Sequence, residues 1–432
     1  MALIAYKHFW LRQLAAVRQG GARTLFWKIV SGSKFIFRQI ALAIGIVVTA
    51  PVVFVVVCLK PLVIIRFGAL ASARIGHFTL DTEAYLCSRD TYKSGPPFFD
   101  IIGIDSSVSN SQLYAMWART LRIYPGGWLW DLLGRSCCFW ARTNLHKVSF
   151  VRPIGFHTDW IAAATNPHIA FSIAEQRRGT DLLQALGIPS GASWVCIHNR
   201  DSSYLEQTFK IGPWLYHDFR DFTVGSLALA ARELARRGYY VLRMGKVVSE
   251  KLTVDEPRVI DYSASEARCD FADMFLLAKC AFYFGSDAGL VNVPTMFRRP
   301  IAFLNYPVAR ELLVSYYWNP TPFLIKRIRW IRSGQFLSLR EVFSCGFDNF
   351  VTSEAYQAAG VELIGATSEE VCDLVIEVDE RFCGRWVGTA EDEVLQEKFR
   401  NIMREMVPSF DGGYIRAKIG SAFLRQHQYL LD

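Results

Sequence analysis

Charged and hydroxyl side chains follow four predicted strands in the later half of this 432-residue chain. In chain order they are Arg200 with Asp201, Arg243 with Lys246, Tyr262 with Ser263, and Ser286 with Asp287 and Gly289. Cations at neighbouring strand ends suit an anion such as a diphosphate, because guanidinium and ammonium groups form charge-assisted hydrogen bonds with phosphate. The alternative is that these are unrelated surface charges on loops.

The stretch Ala281–Pro307 indicates the backbone geometry that such an anion needs. An apolar run ends at the small residues of 285–289, a helix is predicted over Leu290–Phe297, and Ile301–Tyr306 is a second strand. A small-residue loop entering a helix presents free backbone N–H groups and a partial positive charge to a phosphate. The alternative is an ordinary strand-to-helix connection in which Ser286 and Asp287 only cap the helix.

A second loop of this kind lies early in the chain, within Pro61–His77. Its basic and glycine residues are Arg66, Gly68, Arg74 and Gly76. Glycines allow a backbone to approach a ligand closely, although the spacing is not the G-x-G-x-x-G of dinucleotide sites. We interpret it as an acceptor or phosphate loop, with a solvated basic loop at a sheet edge as the alternative. The following helix, Leu80–Leu86, carries Glu83.

Alternating strands and helices must position these residues. The predicted strands are Trp194–His198, Tyr239–Met244, Val259–Tyr262 and Ala281–Phe284, and the helices between them are Ser226–Arg237 and Asp270–Lys279. This order predicts an α/β fold with a doubly wound parallel sheet, whose ligands bind beyond the carboxyl ends of the strands. Later helices are predicted at Arg310–Trp318, Ser368–Phe382 and Glu391–Met406.

The composition is apolar for an enzyme, at 51% hydrophobic residues, and the basic charge is confined to one end. No acidic residue precedes Asp81, whereas ten Lys and Arg do, which leaves 38 basic against 40 acidic residues in the remainder. A basic N-terminus interleaved with aromatic residues favours an anionic membrane surface as partner, and argues against a general nucleic-acid-binding surface.

Residues 40–59 form an uncharged run between Arg38 and Lys60 that is long enough to cross a membrane. A re-entrant hairpin bent at Pro51 and a buried strand or helix of the globular part are the alternatives. The excess of basic residues in 1–38 keeps that segment in the cytoplasm. We expect a membrane-associated protein whose globular part lies on the cytoplasmic face of the inner membrane.

The cysteines and tryptophans give weaker indications. The ten cysteines show neither C-x-x-C pairs nor metal-ligand spacing, which predicts no metal site and suits a reducing compartment. Several tryptophans precede residue 190 and either stack on a sugar or lipid or pack in the core, namely Trp117, Trp128, Trp130, Trp140 and Trp160.

The motifs together resemble a known group of proteins. They are Ile65-Arg66-Phe67-Gly68, Arg74-Ile75-Gly76-His77, Ile197-His198-Asn199-Arg200-Asp201-Ser202, Arg243-Met244-Gly245, Gly285-Ser286-Asp287-Ala288-Gly289, Arg299-Pro300 and Asn305-Tyr306. They look like a poorly characterised group of bacterial glycosyltransferases. That group is similar in its C-terminal half to GT-B enzymes such as heptosyltransferases and fucosyltransferases. The likeness covers roughly residues 62–306.

This resemblance implies two Rossmann-like domains facing a cleft, with a nucleotide-sugar donor bound mainly by the second. The expected ranges are 1–60 for the membrane segment, 61–190 for an acceptor domain, 191–345 for a donor domain and 346–432 for a helical region. His198 and Arg200 match a His-x-Arg pattern whose arginine contacts the donor diphosphate in fucosyltransferases. Heptosyltransferases carry an aspartate base in the early loop, where this chain has no acid.

The resulting hypothesis is a metal-independent glycosyltransferase that moves a sugar from a nucleotide-sugar donor to a cell-surface glycan or glycolipid. No cofactor is expected beyond that co-substrate. The catalytic base stays open among Glu83, His77 and Asp201. The alternatives are a membrane-tethered saccharide or nucleotide-sugar binding protein without turnover, an epimerase or hydrolase of the same fold, and a structural membrane scaffold.

Overall fold

A computed structural model of the chain describes residues 26, 29–30, 32–90, 96–150, 166–200, 203, 219–306, 308, 321–406 and 417–432. They form two compact units. Unit 1 contains the described residues of Met1–Leu70, Ser94–Ser106 and Arg122–Ser149, and unit 2 those of Ala71–Lys93, Ser107–Leu121 and Phe150–Asp432. The expected acceptor domain, 61–190, is therefore shared between the two units.

The described strands and helices are numbered here in chain order. The strands are β1 Ile64–Ala69, β2 Phe98–Ile104, β3 Ile123–Pro125, β4 Trp194–His198, β5 Tyr240–Arg243, β6 Val259–Ile260, β7 Tyr283–Gly285, β8 Ile301–Phe303, β9 Arg327–Trp330 and β10 Val361–Ile364. The helices are α1 Gly32–Val48, α2 Ala50–Leu59, α3 Thr82–Asp90, α4 Ser111–Thr120, α5 Gly127–Ala141, α6 Ile173–Ala185, α7 Ala228–Arg236, α8 Asp270–Lys279, α9 Asn292–Met296, α10 Leu339–Ser344, α11 Ser353–Ala358, α12 Ser368–Phe382, α13 Ala390–Met406 and α14 Ser421–Gln426.

Unit 1 is built on a three-stranded parallel sheet in the order β1-β2-β3. Helices α2 and α5 cover it, and their apolar side chains form one cluster with the strand residue Phe67. The other buried members of this cluster are Val53, Val56, Leu133 and Cys137. The end of the apolar run 40–59 is therefore part of the core of this unit, since Val53 and Val56 are almost fully buried.

The long apolar run is bent in the structure. Among the described residues no single helix is long and apolar enough to cross a membrane, so a straight crossing by the run 40–59 is not supported. Helices α1 and α2 pass that test only as a pair, with a 52° bend at Thr49, two residues before Pro51. Proline at the start of α2 is favourable, because the first turn of a helix has no partner for its N–H groups.

Unit 2 contains a five-stranded sheet in the order β6-β5-β4-β7-β8, with every neighbouring pair parallel. The predicted α/β class with a parallel sheet is thereby confirmed. The strand Trp194–His198 and the helix Asp270–Lys279 have the predicted bounds, and the other strands are shorter than predicted. Helix α8 is buried along nearly its whole length, which explains why its sequence is apolar on every side.

The C-terminal part of unit 2 packs on this sheet domain through α12. Helix α12 has the predicted bounds and lies against α7. Asp379 on α12 is buried and accepts hydrogen bonds from Arg237 and from the hydroxyl of Tyr239, at 2.7 and 2.8 Å. The predicted helix Arg310–Trp318 lies outside the described residues.

Candidate functional site

The carboxyl edge of the unit 2 sheet places the ends of β4 and β7 in close contact. A Cβ atom at Gly285 would lie 2.2 Å from the carbonyl oxygen of His198, so only glycine allows the two strand ends to approach this closely. The backbone N–H of Ser286 donates to that same oxygen at 3.0 Å. The loop after β7 is therefore fixed beside the residues that follow β4.

Arg243, at the end of β5, is fully buried and binds protein groups rather than solvent. Its guanidinium donates to Asn199 Oδ1 at 3.0 Å and to Ser263 Oγ at 2.6 Å, and it lies 3.6 Å from Asp261 Oδ1. These partners follow β4 and β6, so Arg243 ties three strand ends together. The predicted direct contact of Arg243 with a donor is inconsistent with this burial, and its role here is positioning. Ser263 is partly exposed and accepts a hydrogen bond from Arg243.

Arg200 is also buried, beside a cation that the sequence did not reveal. Its guanidinium forms an ion pair with Asp221, and the ammonium of Lys326 donates to the backbone carbonyls of Phe219 and Asp221, each at 2.8 Å. Burial lowers the pKa of Lys326 to about 8, the nearby Asp221 carboxylate opposes that change, and Arg200 adds to it. The guanidinium of Arg200 and the ammonium of Lys326 therefore both bind the segment 219–221.

A third cation lies next to the loop after β7. Arg220 Nη1 is 3.6 Å from Asp287 Oδ2, and about a quarter of each of these two side chains is exposed. Among the described residues, Asp221, Asp261 and Asp287 each lie near an arginine, and Lys326 adds a fourth cation. Of the three arginines, Arg220 is the most exposed.

Three other predicted donor residues follow the strands at this edge but contact protein groups. Tyr262 is completely buried, and its hydroxyl donates to Asp273 Oδ1 at 2.9 Å, so it is a core residue. Lys246 is exposed and lies 3.9 Å from Asp270. His198 directs Nδ1 at the carbonyl of Met244, at 3.0 Å, which ties β4 to the end of β5.

The two glycine loops predicted from the sequence meet in unit 2. A Cβ atom at Gly76 would lie 2.9 Å from Gly289 Cα, and the side-chain amide of Asn292 donates to the Gly76 carbonyl at 3.0 Å. The two backbones approach so closely that neither position has room for a side chain, which explains why both residues are glycine. The Gly76 loop is thereby fixed against the residues that open α9.

His77 stands directly beside this contact. It begins a π-helical turn, His77–Asp81, and its Nδ1 lies 2.8 Å from Asp81 Oδ2. The imidazole is 52% exposed whereas the carboxylate is only 4% exposed. A buried carboxylate that accepts from Nδ1 leaves Nε2 as the basic atom facing solvent, which is the arrangement of an oriented general base.

Glu83 has the opposite environment. Its side chain is completely buried, with Arg298 Nη2 at 2.6 Å and His168 Nδ1 at 3.0 Å. Burial by itself lowers the pKa of His168, but hydrogen bonds with Cys87 and Glu83 raise it to about 10. A carboxylate enclosed by two cations cannot take a proton from a substrate, so Glu83 does not fit the predicted role of base.

Among the residues that the structure describes, the cluster around Glu83 also has a composition that suits a metal ion. Glu83, Cys87 and His168 each present one ligand atom, and these atoms lie within 4.8 Å of one another. Arg298, however, already forms an ion pair with the glutamate and lies 3.9 Å from the cysteine sulfur. A bound cation would have to displace this guanidinium, so we treat the cluster as an ion-pair network.

The remaining predicted residues are spread over both units. Arg66 is a β1 residue whose guanidinium pairs with Asp100 on β2 at 2.6 Å, and Gly68 is a buried residue of the same strand, so neither lies in a loop. Arg74 is exposed in unit 2, three residues before His77. Asp201 lies outside the described residues.

No protein-family model and no curated protein sequence matches this chain. Two solved structures are similar in fold. One is the glycosyl transferase family 9 protein from Veillonella parvula DSM 2008, at 12% identity, covering 74% of this chain and 97% of that one with a TM-score of 0.43. The other is ADP-heptose LPS heptosyltransferase II of E. coli, at 11% identity, covering 57% and 86% with a TM-score of 0.31.

Both neighbours are glycosyltransferases, and one is a heptosyltransferase, which is one of the two groups that the sequence resemblance names. The resemblance to fucosyltransferases stays a prediction. Both TM-scores are below 0.5, so the function is inferred from the site residues and not from these structures.

Proposed function

We propose that this protein is a glycosyltransferase that moves a sugar from a nucleotide-sugar donor to a hydroxyl group of a glycan or glycolipid. The observation that carries the proposal is the exposed His77, backed by the buried Asp81 and adjacent to the backbone contact between Gly76 and Gly289. This places a general base next to a loop rich in backbone N–H groups, and sugar transfer needs both a base and an anion site.

His77 acts as the base in this proposal. Its Nδ1–H donates to Asp81, so Nε2 accepts the proton of the acceptor hydroxyl as that oxygen attacks the anomeric carbon. The bond from the anomeric carbon to the phosphate oxygen breaks, and the nucleoside diphosphate leaves with the electron pair. Asp81 stabilises the imidazolium that forms, because the carboxylate is buried and directly hydrogen-bonded to it.

The donor diphosphate is assigned to the carboxyl edge of the unit 2 sheet. The groups that support this assignment are the N–H groups that open at Gly289 and the cations Arg220 and Arg200. Preorganised donors and cations stabilise the charge that develops on a leaving diphosphate, and such stabilisation is usually the largest contribution to catalysis. Arg243, Asn199 and Ser263 keep the strand ends in place beneath them.

The acceptor and the location follow from the apolar N-terminal part. We assign a membrane-associated acceptor, a glycolipid or lipid-linked glycan, and a position on the cytoplasmic face of the inner membrane. The exposed apolar residues of α1 and α2 support this assignment. The chemistry proposed uses no metal and no cofactor, because proton transfer and charge stabilisation are supplied by the side chains named above.

Thermal-shift measurements with UDP, GDP, ADP and CMP sugars test donor binding, because a ligand that binds only the folded state raises the melting temperature. At least one is expected to do so, and Arg220→Ala should weaken that shift. If no nucleotide sugar has any effect, the proposed function is wrong.

Turnover with membrane extract as acceptor tests the base. His77→Ala should lower transfer by about 10²- to 10⁴-fold, the range for a general base, while the nucleotide-sugar shift is retained. Transfer at the wild-type rate would contradict the role of His77. Release of free sugar without any acceptor would instead favour a hydrolase, and binding without turnover would favour a binding protein.

A further inference from the structure

The structure of unit 1 extends the apolar surface of its N-terminal helices onto a segment almost a hundred residues away in the chain. Nine large apolar side chains of α1 and α2 are each at least half exposed to solvent. They are Phe35, Ile36, Phe37, Ile40, Ile44, Val47, Val48, Phe54 and Val55. So many exposed large apolar side chains are uncommon on a protein that contacts only water, and they mark an interaction surface.

Helix α5 is attached directly to this helix pair. Thr49, at the bend, donates from its hydroxyl to Ser136 Oγ at 2.7 Å, and the indole of Trp140 donates to the backbone carbonyl of Ile46 at 3.0 Å. Gly45 lies so close to Leu132 that a Cβ atom there would be 2.9 Å from a leucine methyl. The C-terminal end of α5 therefore lies beside the exposed residues of α1.

That end of α5 is itself apolar and exposed. Phe139 is 61% exposed and Trp140 is 48% exposed, and the two rings contact each other edge to face with centroids 5.1 Å apart. Beyond the helix, Leu145 is 45% exposed. Phe139 and Trp140 thus continue the surface that α1 begins. The sequence placed the membrane segment in residues 1–60 and left Trp140 open between stacking on a sugar or lipid and packing in the core.

The excess of basic residues in unit 1 indicates an anionic partner. Its described residues include eight basic side chains, Lys34, Arg38, Lys60, Arg66, Arg122, Arg135, Arg142 and Lys147, against the three acids Asp100, Asp105 and Asp131. Two of these acids are already paired, Asp100 with Arg66 and Asp131 with Arg135. Basic residues around an apolar, tryptophan-containing surface match an anionic bilayer, because the rings enter the interface and the cations meet lipid phosphates.

A shallow cavity of about 760 Å³ lies at the same place. Its lining consists of Cys138, Phe139, Trp140, Arg142, Thr143 and Asn144. It combines one guanidinium and two polar side chains with two aromatic rings, which suits a phosphate group attached to an apolar chain. Aromatic and charged side chains are therefore adjacent here, as the acyl chains and the charged head group are in a phospholipid.

We propose that unit 1 docks on an anionic phospholipid bilayer through α1, α2 and the C-terminal end of α5, with Phe139 and Trp140 in the interface and Arg142 at a lipid phosphate. This inference deepens the proposed membrane association. Its test does not measure turnover, so that either proposal can fail while the other stands.

The experiment uses the full chain, made by cell-free synthesis in the presence of vesicles of phosphatidylcholine with added phosphatidylglycerol. Phe139 is replaced by photoreactive p-benzoylphenylalanine, and the matched control carries the same replacement at Val387, an exposed apolar residue of unit 2. Crosslinking to radiolabelled lipid is expected at position 139 and not at position 387. Absence of a lipid adduct at 139, equal labelling at both positions, or a crosslink to a second copy of the chain would overturn the proposal.

A second variant tests the phosphate contact in the same assay. Arg142→Gln, combined with the photoreactive residue at 139, should lower labelling of phosphatidylglycerol about five-fold and leave labelling of phosphatidylcholine unchanged, since one cation contributes about 1 kcal/mol near an anionic surface. Arg332→Gln, at an exposed arginine of unit 2, is the control and should change neither. Unchanged phosphatidylglycerol labelling in Arg142→Gln would remove the lipid-phosphate assignment.

Discussion

Two of the histidine–carboxylate pairs in unit 2 use carboxylates that are close in the chain, Asp81 and Glu83, and the environments of these two pairs are opposite. His77 is half exposed with the buried Asp81 behind it, whereas His168 is nearly enclosed between Glu83 and its neighbours. The first pair leaves one imidazole nitrogen available to a substrate. The second pair is enclosed by protein, and the guanidinium of Arg298 is a second cation on the carboxylate of Glu83. Residue type alone therefore does not identify a catalytic base, and the exposure of the imidazole separates the two.

Removing the buried carboxylate should have the largest effect, and it should be on stability. Glu83→Gln removes the carboxylate that Arg298 contacts and leaves His168 with Asp90 as its carboxylate partner, and breaking such a buried pair costs about 3–5 kcal/mol in the free energy of unfolding. Chemical denaturation measures this loss. Glu362→Gln, which breaks the half-exposed pair with Arg329, is the control and should cost less than about 1 kcal/mol. Equal losses in both variants would contradict the contrast drawn here.

Asp81→Asn should affect the rate instead. The amide keeps the size of the side chain but no longer stabilises a protonated His77, so turnover should fall about 10²-fold, the low end of the range for general-base catalysis. The pH–rate profile should also change, which loss of a purely structural contact would not produce. Asp131→Asn, at another i,i+4 ion pair on a helix, is the control and should keep the wild-type rate.

A smaller loss is expected when the two glycine loops are separated. Gly76→Ala places a methyl group 2.9 Å from Gly289 Cα, and the backbone shift that relieves this overlap should cost about 1–3 kcal/mol of stability and displace His77. Melting temperature and turnover should fall together. Gly225→Ala adds a methyl group where no atom lies within 4 Å, and it should leave both unchanged.

The remaining prediction concerns the dependence of stability on pH. His168 has a pKa of about 10 in the folded protein against an ordinary value of 6.5, so its stabilising contribution is complete below pH 6.5 and is lost as the pH rises through 10. Denaturation between pH 6.5 and 10 should therefore show stability falling with pH, and His168→Gln should flatten that slope. An unchanged slope in His168→Gln would assign the pH dependence to other groups.

The sheet of unit 2 was predictable because its strands are short apolar runs punctuated by glycine and polar residues. The strand Trp194–His198 follows that pattern so closely that its predicted bounds agree with the structure, and the predicted bounds of the helix Asp270–Lys279 agree as well. Helix α5 was not predicted, because Gly127 and the tryptophans after it are equally typical of a turn. Its helical state depends on packing against β1 and β2, which no local pattern encodes.

The site was predictable at the level of loops and not of individual side chains. The Gly76 and Gly289 loops were both singled out, but their contact joins residues more than two hundred positions apart. Arg243 and Tyr262 stand where ligand contacts were expected, yet both are enclosed, because position at a strand end does not determine burial. Asp81 was missed because the predicted helix began at Leu80 and left His77 outside it, so the four-residue spacing of a helical pair was not recognised.

The burial of Val53 and Val56 against Phe67 and Leu133 has a practical consequence for producing this protein. A shortened version starting after Lys60 would remove two valines from a packed core, each contributing about 1.5–3 kcal/mol when fully buried, and would leave bare apolar faces on α5 and β1. Deleting this apolar N-terminal segment to improve solubility should therefore yield aggregated protein. Surfactants or lipid nanodiscs around the intact chain are the better route to a homogeneous sample.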